Sequence, residues 1–136
     1  MHFPAKGEYA LRAVFDLAAH DDGTPVRAAD IAKRQRIPAK FLELILSALR
    51  QGGLVESRRG ADGGYLLVRR PDAITVAEVL RIIEGEQRSR HADGPFAETW
   101  KRVDAAVDEI VGKTHFAQLV RDWKQRQQHY VPNWDI

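Results

Sequence analysis

Arg58 and Arg59 stand directly before the run Gly60-Ala61-Asp62-Gly63-Gly64-Tyr65. Guanidinium groups pair strongly with phosphate oxygens, and glycines let a backbone approach another surface closely. A turn of this kind can follow a polyanion or enter a narrow minor groove. Upstream, Lys40, Glu43, Ser47 and Arg50 recur at i, i+3, i+7 and i+10, which places them on one face of a helix. That face carries what a major groove requires: cations and a hydroxyl for phosphates and guanine edges, and a carboxylate acceptor for a cytosine amino group. Every amphipathic helix has a polar face and many soluble turns are basic, so either feature alone also reads as solvated surface. In combination they point to nucleic acid.

These residues need a frame. Tyr9, Ala10, Ala13, Val14, Leu17 and Ala18 have helical spacing and end in the breakers Asp21-Asp22-Gly23-Thr24-Pro25, predicting a helix over about residues 5–20. Ala28 to Gln35 predicts a short second helix, closed by Arg36-Ile37-Pro38 because proline disfavours helix in the residue before it. Phe41, Leu42, Ile45, Leu46 and Leu49 form the apolar stripe of a third helix, which stops at Gly52-Gly53. Two helices joined by a tight turn are a helix-turn-helix. Leu54–Ser57 and Tyr65–Val68 then read as a hairpin around the glycine-rich turn, that is, a wing.

Thr75-Val76-Ala77-Glu78 is a capping box with Ile74 and Val79 as its staple, so a fourth helix starts there and ends at Gly85. A polar linker follows over residues 86–94. Phe96, Trp100, Val103, Val107, Ile110 and Val111 mark a long amphipathic helix, with Gly112 as its expected end. Phe116, Leu119, Val120 and Trp123 mark a sixth helix before a loosely held tail around Val131–Trp134. Trp100 and Trp123 could line an apolar effector pocket, although aromatic residues at this spacing also serve as core.

Composition narrows the chemistry. At 136 residues, 44% hydrophobic and 29% charged, the chain is an ordinary globular sequence with room for one domain and an appendage. Residues 1–70 carry a net charge of +4 and residues 71–136 a net of −2, so the first half is the candidate polyanion-binding half. The absence of cysteine removes disulfides, thiolate metal sites and thiol catalysis together. His2, His20, His91, His115 and His129 lack metal-ligand spacing. Neither a nucleophile elbow nor a phosphate-binding glycine loop before a helix occurs, so the expectation is no enzyme, no cofactor and no metal. Lacking an apolar leader or an 18-residue apolar run, the chain is expected in the cytoplasm, away from the membrane.

In order and spacing, Lys6-Gly7-Glu8-Tyr9-Ala10-Leu11, Asp30-Ile31-Ala32, Phe41-Leu42-Glu43, Gly53-Leu54-Val55 and Arg59–Leu67 together resemble the IscR/NsrR/CymR family of bacterial winged-helix regulators, over about residues 1–85 and beyond that in helix layout. The resemblance implies a homodimer held through Phe96, Trp100, Val103, Val107, Ile110 and Val111, bound to a roughly palindromic DNA operator, usually as a repressor. It implies Lys40, Glu43, Ser47 and Arg59 as base or phosphate contacts, with Lys6 and Arg50 near the backbone. Cluster-binding relatives carry three cysteines in the segment corresponding to 85–95, where this chain has none. A small-molecule effector or a partner enzyme would then be the signal.

The reading is therefore a mainly α protein with a small β-hairpin: a winged helix-turn-helix over 1–84, a linker over 85–95, and a dimerisation helix plus C-terminal helix over 96–136. Its DNA-binding residues are Lys6, Lys40, Glu43, Ser47, Arg50, Arg58, Arg59, Gly60, Gly63, Gly64 and Tyr65. The alternative is a winged-helix module that docks a partner protein through the apolar stripe of 96–111.

Overall fold

Alanine and leucine at core spacing, with Glu8 in the first turn, build helix α1 over Ala5–Ala19. The structure is a computed structural model and describes residues 5–85 and 93–129; the expected linker and tail fall largely outside them. Helix α2 spans Ala28–Gln35 and helix α3 spans Ala39–Gln51. The turn between them passes through Arg36 in the left-handed region (φ 55°, ψ 49°). This lets the Ile37 amide reach back to the Ala32 carbonyl at 3.0 Å, the 6→1 bond of a Schellman closure. Ile37 enters the core and Pro38 (φ −56°) opens α3.

Strands β1 (Val55–Arg58) and β2 (Gly64–Leu67) pair antiparallel with Val55 opposite Leu67 and Arg58 opposite Gly64. Each lies one residue nearer the turn than the sequence suggests. Leu54 is buried, and its amide satisfies the Leu49 carbonyl at the end of α3, so the ladder begins after it.

Helix α4 (Val76–Glu84) is capped as expected, Thr75 Oγ1 accepting from the Glu78 amide at 3.2 Å. The reciprocal half of the box differs: the Glu78 carboxylate pairs with the guanidinium of Arg69. Helix α5 (Ala97–Lys113) runs through Gly112, where a Cβ would meet nothing within 4 Å, and closes on Thr114 Oγ1 donating to the Ile110 carbonyl at 2.7 Å. Helix α6 covers Phe116–His129. The α5–α6 junction is stitched to the start of α4: the Val76 amide donates to the Thr114 carbonyl (2.9 Å) and the Phe116 amide to Ile74 (3.1 Å), burying Phe116.

One core joins these elements: Ala10, Val14 and Leu17 of α1 pack with Ile31, with Leu42, Ile45, Leu46 and Leu49 of α3, and with Val79 of α4. Among the described residues its single buried charge is Asp16 of α1, 1% exposed. Arg34 of α2 grips it with two hydrogen bonds, Nε to Oδ1 at 2.9 Å and Nη2 to Oδ2 at 2.8 Å, and Gln35 Nε2 adds a third at 3.0 Å. This pairing raises the Arg34 pKa further above its already high value, chiefly through the Asp16 hydrogen bonds. It fixes the angle at which α2, and behind it α3, leaves α1.

Candidate nucleic-acid interface

The core stripe of α3 is turned inward, which leaves Lys40, Glu43 and Arg50 exposed and Ser47 half-buried on the opposite side. Arg50 Nη1 lies 3.4 Å from Ser57 Oγ, joining the end of the helix to β1. Leu44 also faces outward, 68% exposed. It was not among the expected contacts, although its position outside the apolar stripe was the available signal. An exposed leucine one residue after Glu43 gives the face an apolar element of the kind that meets a thymine methyl.

The wing is held from two sides. The Val26 amide donates to the Tyr65 carbonyl at 2.9 Å and the Tyr65 amide donates to Val26 at 2.8 Å, so the lead-in to α2 forms a short bridge with β2. A Cβ on Gly64 would sit 2.5 Å from the Val26 oxygen, and Gly64 has φ 151°. A Cβ on Gly63 would sit 2.2 Å from the Arg58 oxygen. Glycine is required at both positions for the turn to close. Arg27 donates to the Ala61 carbonyl at the wing tip, a tie that nothing in local spacing signals because the residues are 34 apart. Tyr65 is half-buried against the core, so it supports the wing from within.

The two wing arginines differ. Arg58 lies 3.6 Å from Glu56 across exposed surface, a weak, screened pair. Arg59 is exposed, with no hydrogen bond or ion pair among the described residues. Lys6 is likewise exposed, in the first turn of α1. Lys40, Arg50, Arg58 and Arg59 are thus all exposed, on α3 and on the wing that the Arg50–Ser57 contact joins to it.

Helix α5 has no buried residue. Phe96 just before it is 65% exposed, Trp100 40% and Ile110 66%, while Val103, Val107 and Val111 are half-buried. Trp123 of α6 is 48% exposed beneath the Arg126 guanidinium. A cleft of about 210 Å³ opens between α1, the end of α2, the start of α4 and α6, lined by Leu11, Phe15, Gln35, Val76, Phe116 and Leu119 with Arg12 at its side; neither tryptophan lines it.

The model of the Rrf2 family, described as an iron-dependent transcriptional regulator, matches residues 3–122. The HTH-type transcriptional regulator IscR of Xenorhabdus nematophila is 34% identical over 132 residues, covering 90% of this chain and 80% of that one. The solved structure of CymR, the global cysteine regulator of B. subtilis, superposes with a TM-score of 0.80 at 34% identity, over 89% of this chain and 97% of that one. The structure of T. potens IscR gives 0.81 at 32% identity, over 98% and 95%. The iron in the family description does not fit the donors among the described residues. There is no cysteine to ligate a cluster, no group of three His, Asp or Glu side chains among the described residues could hold a metal, and Glu8 is exposed and paired with Arg12 at 3.2 Å. No helix among the described residues is long and apolar enough to cross a membrane. With a helix-turn-helix and a glycine-closed basic wing joined to it, and relatives alike along nearly the whole chain, the protein belongs to the Rrf2 family and is a DNA-binding transcriptional regulator.

Proposed function

We propose that the protein acts in the cytoplasm as a homodimeric repressor, without catalytic activity, and grips a roughly palindromic operator with one α3 and one wing per half-site. The observation that carries this reading is the amphipathic α5, seventeen residues with none buried by its own chain. An apolar stripe of that length is stable in water when a second copy covers it. Residues 5–84 form the reading head and 96–129 the dimerisation part. Lys40, Glu43, Ser47 and Leu44 meet base edges or phosphates, Arg59 and Arg58 follow the wing-side groove, and Lys6 and Arg50 lie near the backbone. Since the donors for a cluster are missing, the signal is a small molecule or a partner enzyme.

The test combines sedimentation with DNA titration on a duplex recovered from a random-sequence pool by the wild-type protein. A dimer is expected, with log affinity falling steeply against log salt. Ile110→Glu is expected to yield folded monomers of lower operator affinity. A monomeric wild-type protein, or affinity indifferent to salt, would refute the proposal.

A further inference from the structure

The left-handed residue in the helix-turn-helix points to a contact beyond those already named. Among the described residues seven positions have φ between 55° and 151°; six are glycine, and the exception is Arg36. A Cβ makes this region unfavourable, and the turn of a helix-turn-helix often uses glycine. Here the conformation is imposed, because the Ile37 amide must close on Ala32 for Ile37 to reach the core. The chain thus places a long, strained cation where the smallest residue fits best.

Among the described residues no stabilising partner justifies an arginine here from inside the fold. Arg36 is exposed, and its guanidinium has no hydrogen bond, ion pair or ring contact among the described residues. Its neighbour Arg34, by contrast, is spent on Asp16. Arg36 lies two residues before Pro38, which opens the recognition helix, and four before Lys40, itself exposed and unpaired. Backbone strain kept without an internal return is a mark of a functional position.

We infer that Arg36 is a DNA-phosphate contact, a clamp at the entry of α3 that fixes how deep the helix sits in the groove. The inference rests on the reading that α3 enters the major groove. A phosphate contact positions the protein without reading sequence, so Arg36 serves affinity on any duplex and leaves base preference unchanged.

Arg36→Gly and Arg36→Asn remove the charge while suiting the left-handed backbone, and Arg36→Lys keeps the charge. Each is titrated with the pool-selected duplex and with a scrambled duplex across salt. Each phosphate contact adds about 0.9 to the slope of log affinity against log salt. The Gly and Asn variants are therefore expected to lower the slope by about 1.8 for two half-sites, and affinity at the lowest salt by about tenfold, on both duplexes alike. Arg36→Lys should hold the wild-type slope. Arg36→Gly should also raise Tm by about 2–4 °C, so stability and DNA affinity move in opposite directions. An unchanged slope for Arg36→Gly, when Arg58→Ala/Arg59→Ala lowers it, would overturn this contact alone. If neither lowers it, the whole interface reading falls. A lower Tm for Arg36→Gly would overturn the strain on which the inference stands.

Discussion

Arg34→Ala is expected to cost the fold more than Asp16→Ala, although the two side chains form one ion pair. The asymmetry comes from solvent access: the Asp16 side chain is 1% exposed, the Arg34 side chain 40%. Removing Asp16 frees a guanidinium that can turn to water, so the loss is the two Arg34 hydrogen bonds, the Gln35 bond and a small cavity, about 2–3 kcal/mol. Removing Arg34 leaves a carboxylate buried with only Gln35 at 3.0 Å and the ring of His20 at 3.8 Å, a situation that costs about 3–5 kcal/mol. Against a domain stability of about 5–15 kcal/mol, either change is large. Asp16→Ala/Arg34→Ala is expected to be no less stable than Arg34→Ala alone, because the unpaired charge is gone. Urea unfolding at neutral pH, followed by circular dichroism, measures all three. Arg34→Ala proving milder than Asp16→Ala, or both costing under about 1 kcal/mol, would refute the reasoning.

Gly64→Ala must push a Cβ into the Val26 carbonyl at 2.5 Å, and is expected to destabilise by at least about 2 kcal/mol and to speed amide exchange at Val26 and Tyr65; wild-type exchange there would contradict the bridge. Leu44→Gln, on a side chain 68% exposed, should leave stability within about 0.5 kcal/mol and shift base preference at one position of each half-site, read by repeating the pool selection. Thr75→Ala removes the cap to Glu78 and should cost about 1 kcal/mol, seen as a lower urea midpoint with an unchanged slope.

Features that depend on local spacing were legible in the chain. The stripe from Phe41 to Leu49 located α3 because a helix period exposes its own inner face, and Thr75 located the start of α4 because capping chemistry is confined to four residues. Glycines 63 and 64 announced the wing for the same reason. What escaped depends on tertiary crossings. Asp16 meets Arg34 across eighteen residues, and Arg27 meets Ala61 across thirty-four, so no window contains both partners. Pro38 signalled a break after α2 but not that Arg36 would adopt the left-handed turn, which follows from the burial of Ile37. Gly112 was expected to end α5; an exposed glycine costs a helix only about 1 kcal/mol against alanine, too little to stop it one residue before Lys113.

The double attachment of the wing, through Val26 to Tyr65 and Arg27 to Ala61, has a calorimetric consequence. A hairpin already seated on its neighbour has little conformational entropy left to lose when a duplex arrives, in contrast to segments that fold upon their target. Association should therefore carry the heat-capacity change of rigid surfaces meeting, and that change should grow in Arg27→Ala, where the tip has to settle during the encounter.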